Sequence, residues 1–267
     1  MASLPPSLRE TLAYFDKYDY PLTANELWFW QHGTTFSKLE IRNFLGKLGQ
    51  LEIRNWQLRR QRSKFSQNKW KIAKKVGESL KSFPTIAAVY VTGALAMNNC
   101  PANDDIDLMI VTYPHTLWLT RLFVVIYLKF LGIRRHPATE YRIPNTENQI
   151  CDNLWLDIKN LKFKTKDLYV AHEILQAKVL WDRAHIHSQF LSANSWASRY
   201  LLVAYKESFR NLKIKNLDLI KNLKFKIKNF VLWPLNCVFF VAQYLYMKPK
   251  MTSEKVGLGF AFFHPSK

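Results

Sequence analysis

Two aspartates separated by one residue lie at the start of an apolar segment near the middle of the chain. Asp105 and Asp107 flank Ile106, and the apolar residues 108–111 follow. Because side chains alternate between the two faces of a β-strand, both carboxylates are expected to project from the same face. Two parallel carboxylates on a rigid strand can chelate a hard divalent cation such as Mg²⁺. The spacing therefore predicts a catalytic metal site formed by this acid pair.

A glycine after an earlier apolar segment supplies a second feature. The apolar residues 86–91 are followed by Thr92, Gly93 and Ala94, and ten residues separate Ala94 from the first aspartate. Glycine lets the backbone approach a phosphate closely, and the free N–H groups of a following helix can donate to phosphate oxygens. Phosphoryl or nucleotidyl transfer needs such a cradle together with a metal site. We therefore predict that these three residues bind the phosphates of a nucleotide.

Together the two features resemble the signature of the polymerase-beta-like nucleotidyltransferase superfamily, in which Gly-Ser precedes Asp-x-Asp by roughly ten residues. The resemblance implies an NTP substrate, ATP or CTP, and Mg²⁺ or Mn²⁺ as the cofactor. One position departs from the family pattern, because Ala94 stands where the family has serine. This removes a hydroxyl that normally helps to hold the triphosphate, and Thr92 is the candidate to replace it.

The resemblance also implies a third carboxylate on a neighbouring strand, which completes the metal site and can deprotonate the attacking hydroxyl. Residues 149–158 are predicted to form this strand, and Asp152 and Asp157 are its acids. Their odd separation places them on opposite faces. Alternation puts Asp152 on the face of Leu154 and Leu156, and we select it as the third catalytic and metal-binding residue. Asp157 is the alternative, and without either the site contains only two acids.

The segments around the motif predict an α+β protein with three regions. Three helical segments, an alternating segment at 51–58 and the basic residues 59–62 predict a winged helix over residues 1–64. Residues 65–165 contain the motif and form the predicted nucleotidyltransferase domain, with a small mixed sheet. Residues 166–267 are predicted to be a helical region. This order resembles bacterial two-domain proteins that carry an N-terminal winged helix before such a domain.

The charge of the chain indicates polyanionic partners. Its 39 Lys and Arg residues exceed its 20 Asp and Glu residues, which gives a net charge of +19. This charge attracts polyanions, which are nucleic acid, nucleotides or an anionic membrane surface. Together with the predicted winged helix it favours RNA, such as a tRNA end, or DNA as the macromolecular partner. A membrane surface is less favoured. The apolar residues 230–247 include Pro234, Asn236 and Gln243, which predicts a buried or surface-docked helix and not a membrane span.

The cysteines and the first residues of the chain favour a cytoplasmic location. Cys100, Cys151 and Cys237 lie far apart and lack metal-binding spacing, as is usual in a reducing compartment. The first six residues, MASLPP, lack the basic start and apolar core of a secretory signal.

Two functional hypotheses follow. The first is a Mg²⁺-dependent enzyme that transfers a nucleoside monophosphate from an NTP to a hydroxyl acceptor and releases pyrophosphate. The second is a winged-helix DNA-binding regulator whose degenerate nucleotidyltransferase domain senses a nucleotide, and Ala94 favours it. His172 and Glu173 are further candidates to line the cleft, although a surface pair is the preferred interpretation of these adjacent polar residues.

Overall fold

A computed structural model of the protein describes residues 4–47, 56–135, 147–183, 185–210, 212 and 219–263, with the backbone alone for residues 47 and 219–231. Within these residues a mixed six-stranded sheet is covered by helices on both faces. The helices are α1 (Pro6–Asp16), α2 (Ala24–Trp30), α3 (Lys38–Lys47), α4 (Trp56–Leu80), α5 (Gly93–Ala96), α6 (Leu117–Phe130), α7 (Leu168–Gln176), α8 (Ile186–Ala193), α9 (Leu202–Arg210) and α10 (Leu219–Met247). The strands are β1 (Ile86–Val91), β2 (Ile106–Thr112), β3 (Ile150–Asp157), β4 (Lys178–Asp182), β5 (Lys255–Gly257) and β6 (Phe260–Phe262). Short 3-10 helices occur at Ile158–Asn160, Ser195–Arg199 and Lys248–Lys250.

The strands lie in the order β4-β1-β2-β3-β6-β5. Only β2 and β3 pair in parallel, and α6 supplies the crossover that a parallel pair needs. The other four pairs are antiparallel. The predicted α+β class with a small mixed sheet is therefore confirmed at this level, and β1 and β2 form where the apolar segments on either side of the motif predict them.

Alternation along β2 decides which helices face the acid pair. Leu108 and Ile110 belong to the apolar cluster shared with α4, α6 and α10. Met109 and Val111 belong to the opposite cluster, which includes residues of α1–α3 and α7–α9. Asp107 lies two residues before Met109 and shares its face, so the N-terminal helices and α7 are the elements nearest to it.

The described N-terminal residues contain the three expected helices, and residues 56–62 are helical and not part of the expected ribbon. Thr23 and Glu26 form a capping box at the start of α2. Residues 51–55 of the predicted strand lie outside the described residues, and residues 56–62, expected to end that strand and form the wing, are the first turns of α4. Arg59 there pairs with the Glu26 carboxylate and stacks over the Tyr20 ring at 4.4 Å, which fixes α4 against α2. The strand and wing expected at 56–62 were therefore wrong.

The C-terminal region is not wholly helical, which corrects the prediction for residues 166–267. Helix α7 ends at Gln176, and residues 178–182 form β4, which pairs with β1. Strands β5 and β6 extend the other side of the sheet beyond β3. These short strands carry β-branched and aromatic residues. Their hydrogen bonds come from pairing with the edge of the sheet, and the local sequence does not show that this edge is nearby.

Among the described residues no helix is long and apolar enough to cross a membrane. Asn236 within α10 is buried, and its side-chain oxygen accepts hydrogen bonds from the backbone N–H groups of Trp118 and Leu119 at 2.8 and 3.3 Å. This polar contact satisfies the first turn of α6 and joins α10 to it.

Candidate functional site

The structure brings Asp105 and Asp107 together. Asp105 is buried immediately before β2, and Asp107 is the second residue of that strand. A carboxylate oxygen of each residue and the sulfur of Cys151 all lie within 4.8 Å of one another. The two acids therefore share one side of the sheet, as their spacing predicts.

The turn after β1 lies directly against this pair. Gly93 has φ +62°, and a Cβ at this position would be 2.6 Å from Oδ2 of Asp107. The backbone N–H of Thr92 donates to the Asp107 carbonyl at 3.0 Å. Glycine is required at this position for two reasons. L side chains rarely adopt this φ, and a Cβ at residue 93 would clash with the Asp107 carboxylate. Ala94 lines the cleft beside the turn, and the Thr92 hydroxyl does not cap the short helix α5.

Asp152 does not join the acid pair. In the parallel register Asp107 is opposite Cys151 and Met109 is opposite Leu154, so β3 contains one extra residue between these points. This bulge breaks the alternation on which the choice of Asp152 depended. The buried Asp152 carboxylate instead accepts a 2.7 Å hydrogen bond from Nε of Arg134 and a 3.3 Å bond from Nε1 of Trp155.

Asp157 also lies away from the acid pair. It ends β3 opposite Thr112, at the far end of β2. Its carboxylate accepts hydrogen bonds from the backbone N–H of Lys159 at 2.9 Å and from the Asn160 amide at 2.7 Å. The side chain therefore caps the following 3-10 helix. Neither Asp152 nor Asp157 belongs to the cluster of possible metal ligands formed by Asp105, Asp107 and Cys151.

Three other side chains surround the acid pair. Nη1 of Arg135 donates to Oδ2 of Asp105 at 2.6 Å and lies 3.7 Å from the sulfur of Cys151. The Asn153 amide nitrogen donates to Oδ1 of Asp107 at 2.7 Å, and the Asn153 side-chain oxygen is buried without a hydrogen-bond partner among the described residues. Burial and the neighbouring acids raise the pKa of the Cys151 thiol well above its ordinary value, so this group stays protonated.

A cleft of about 350 Å³ opens beside the glycine turn. Its floor includes Gly93, Ala94 and Asp104, and α7 contributes Tyr169, Glu173 and Gln176. The opposite wall comes from the N-terminal residues and the start of α4. The side chains on that wall are mainly aromatic, and they are Tyr14, Phe15, Tyr18, Tyr20, Asp19 and Arg62. The N-terminal helices are thus part of the cleft and not only a neighbouring module.

Glu173 is a carboxylate of this cleft without a partner. Its side chain makes no hydrogen bond or ion pair with any described residue, and desolvation raises its pKa to about 7. The preceding residue, His172, is fully buried, and its Nε2 lies 3.0 Å from Nε2 of His32. The surface pair expected for His172 and Glu173 is therefore wrong, and Glu173 faces the cleft.

Carboxylates converge on Asp107 from several elements. Burial raises the pKa of Asp107 well above its ordinary value, and the charges of Asp105, Asp104 and Glu173 raise it further. A bound cation would relieve this repulsion. The oxygen donors of the acid pair suit Mg²⁺, whereas the protonated Cys151 thiol does not.

Part of this site has a local signal in the sequence. Tyr169, Glu173 and Gln176 follow the spacing i, i+4, i+7, which places them on one face of a helix, separate from its apolar face. Arg135 and the aromatic residues of α1 have no such signal, because their approach to the acid pair depends on tertiary packing.

Comparisons of the chain with family models, with curated proteins and with solved structures give no match. The geometry and chemistry of the cleft are therefore the basis for a functional conclusion.

Proposed function

We propose that this protein is a Mg²⁺-dependent nucleotidyltransferase that moves a nucleoside monophosphate from an NTP to a hydroxyl acceptor and releases pyrophosphate. The observation that carries the proposal is the 2.6 Å separation between the position of a Gly93 Cβ and Oδ2 of Asp107. A phosphate that approached this glycine turn would also approach the acid pair. Phosphoryl chemistry requires this juxtaposition, and an Asp-rich turn before an ordinary strand does not.

Asp105 and Asp107 would hold the metal ion. A bound Mg²⁺ supplies charge neutralisation and orients the phosphates of the nucleotide. Arg135 contacts Asp105 on the same side and adds a positive charge that can pair with phosphate oxygens. The thiol of Cys151 contributes packing to the site and no ligand.

Glu173 is suited to the role of general base. Its pKa of about 7 lets the carboxylate accept a proton near neutral pH, and it has no competing partner among the described residues. In the proposed reaction the acceptor hydroxyl gives its proton to Glu173. The acceptor oxygen then forms a bond to the α-phosphorus while the bond to pyrophosphate breaks. Glu173 thereby takes the proton-accepting role that the family resemblance implies for a third acid and for which Asp152 was selected.

The cleft favours a nucleotide at the end of an RNA, such as a tRNA end, as the acceptor. Tyr14, Tyr18 and Tyr169 line it, and unpaired bases stack on such rings. The net charge of +19 would hold the rest of an RNA near the surface.

The test uses ATP and CTP labelled in turn at the α- and γ-phosphates, with Mg²⁺ or Mn²⁺ and total RNA. We expect the α-label to enter RNA and the γ-label to appear in pyrophosphate. Asp107→Asn should abolish incorporation. Asp157→Asn removes one carboxylate from the same sheet away from the cleft and retains a capping side chain, so incorporation should persist. No α-label transfer by the wild type, or equal transfer by Asp107→Asn, would exclude the proposal.

A second candidate function is nucleotide sensing without catalysis. The contact of Arg135 with Asp105 and the presence of Cys151 where a third carboxylate was expected favour it. Thermal-shift measurements with NTP distinguish the two functions. Stabilisation that requires Mg²⁺ and is lost in Asp107→Asn supports the enzyme, whereas stabilisation by NTP alone, with no label transfer, supports the sensor.

A further inference from the structure

Two neighbouring helices expose apolar residues in regular stripes. On α10 the stripe contains Leu235, Val238, Val241 and Leu245, of which Val238 is 62% and Leu245 is 61% exposed. On α6 it contains Phe123, Ile126 and Phe130, and Phe130 is 87% exposed. The spacing places each set on one helix face, so the exposure is patterned and not scattered.

These stripes are additional to the faces that pack in the core. Helix α6 buries Trp118, Val124 and Leu128, and α10 packs Phe240 against the Trp118 ring at 5.1 Å. Gln243 of α10 accepts a 2.6 Å hydrogen bond from Arg121. Both helices are therefore already anchored to the rest of the chain, and their exposed stripes are free to contact something else.

The charged residues in the sequence segment that contains the α10 stripe are all lysines. Residues 219–253 contain no Asp or Glu, and the residues from 229 to 247 carry no charged side chain at all. Lysines lie on both sides of this uncharged segment, and they are Lys221, Lys224, Lys226, Lys228, Lys248 and Lys250. Lys248 and Lys250 are exposed, and Nζ of Lys250 lies 4.5 Å from the centre of the Tyr246 ring.

We propose that the exposed faces of α6 and α10 dock on an anionic phospholipid bilayer, with the helices lying on its surface. Apolar side chains would enter the boundary between headgroups and acyl chains, and Lys248 and Lys250 would contact the phosphates. Trp233 and Tyr246, both exposed on α10, are of the aromatic types that favour this boundary.

Two features favour a bilayer over the other occupants of such a face. A second copy would bring one lysine-flanked surface against another in a protein of net charge +19. Nucleic acid would pair with the lysines but would leave the apolar stripes in water. The bilayer alone provides both an anionic surface and an apolar interior. This partner does not depend on the catalytic proposal, because the two helices lie on the sheet face opposite Asp107.

The experiment is co-sedimentation of the full chain with vesicles of phosphatidylcholine, with and without phosphatidylglycerol. The variant Val238→Gln/Leu245→Gln keeps the net charge and changes only exposed residues. We expect binding to require phosphatidylglycerol, to fall as NaCl is raised, and to weaken roughly tenfold or more in the variant. Leu39→Gln is the matched control, since Leu39 is 68% exposed on α3, and it should bind like the wild type.

Three results would overturn the inference. One is the absence of co-sedimentation at any phosphatidylglycerol content. Another is equal binding by the double variant, since lysines alone would then account for it. The third is a dimer in light scattering that dissociates in the double variant without lipid, because a second copy would then cover the face. Circular dichroism of each variant checks that a loss of binding is not a loss of fold.

Discussion

At the scale of single residues, Gly93 links backbone geometry to the proposed chemistry. Gly93→Ala adds a methyl group 2.6 Å from the Asp107 carboxylate and strains a residue with φ +62°. We expect a loss of about 1–3 kcal/mol of unfolding free energy together with loss of nucleotidyl transfer, because the carboxylate must move. Urea unfolding and the labelled-NTP assay measure the two effects.

Gly33→Ala is the matched control for this strain. Gly33 has φ +59°, but a Cβ there would meet nothing within 4 Å. The Gly33→Ala variant should lose unfolding free energy through backbone strain alone and should keep its nucleotidyl transfer activity. If both variants lost activity equally, the contact between the glycine turn and Asp107 would have no special role.

The raised pKa of Glu173 predicts how both the transfer rate and the unfolding free energy depend on pH. As a base with a pKa of about 7, it should make the transfer rate fall below pH 7 by about tenfold per pH unit. Glu173→Gln should lower the rate by roughly 100-fold or more and remove this acidic limb. Glu78→Gln, which removes an exposed carboxylate of α4, should change neither.

The stability of Glu173→Gln should move in the opposite direction to its activity. The folded pKa of about 7 lies above the ordinary value of 4.5, so the wild type loses stability as pH rises from 4.5 through 7. Above pH 7 the variant should therefore be more stable than the wild type, by roughly 1–3 kcal/mol. Equal stability at pH 8 would show that Glu173 is not desolvated as described.

At the scale of elements, a buried histidine pair joins α7 to the segment that follows α2. Burial lowers the pKa of His32 to about 4, and burial together with His32 lowers the pKa of His172 to about 2. Both stay neutral in the folded chain, whereas unfolded histidine binds a proton below about pH 6.5. Stability is therefore fully present above pH 6.5 and falls as pH drops from 6.5 towards 4.

The variant His172→Gln tests this element contact. It should flatten the fall in unfolding free energy between pH 6.5 and 4 by up to about 1.4 kcal/mol per pH unit. Denaturant unfolding at a series of pH values measures the slope. An unchanged slope in His172→Gln would show that the pair does not control acid stability.

The bulge in β3 separates a structural acid from the proposed metal ligands. Asp152→Asn leaves Arg134 without its partner, so the melting temperature should fall while Mg²⁺-dependent stabilisation persists. Asp107→Asn should have the opposite effect on both the melting temperature and the Mg²⁺-dependent stabilisation. Its melting temperature without metal should rise or stay equal, because a desolvated carboxylate is removed, and its response to Mg²⁺ with NTP should disappear. Loss of the metal response in Asp152→Asn would restore that residue to the site.

At the scale of the whole molecule, the net charge of +19 predicts salt-sensitive binding of RNA. The logarithm of the association constant should fall linearly with the logarithm of salt concentration, by about 0.7 for each phosphate neutralised. Fluorescence anisotropy with a labelled single-stranded RNA measures this slope. Val238→Gln/Leu245→Gln should leave it unchanged, since the charge is the same, even though it weakens vesicle binding. A salt-independent affinity would contradict the electrostatic interpretation.

By itself, the sequence determined the parts of this protein that depend on local periodicity and turn chemistry. The strands on either side of the motif and the shared face of Asp105 and Asp107 follow from neighbours in the chain. A two-residue alternation is a property of any strand, so no tertiary contact was needed to predict it.

Only the tertiary structure decided which further groups meet the acid pair. One extra residue in β3 turned Asp152 away, and α7 brought Glu173 to the cleft in its place. The N-terminal residues line the cleft because the Tyr14 ring stacks on the His172 ring at 4.2 Å and the Asn99 amide donates to the Tyr18 carbonyl at 2.9 Å, and not because of any strand pattern. These contacts join residues that are far apart in the chain. Their geometry depends on how whole helices and strands pack, and a local sequence pattern does not determine that packing.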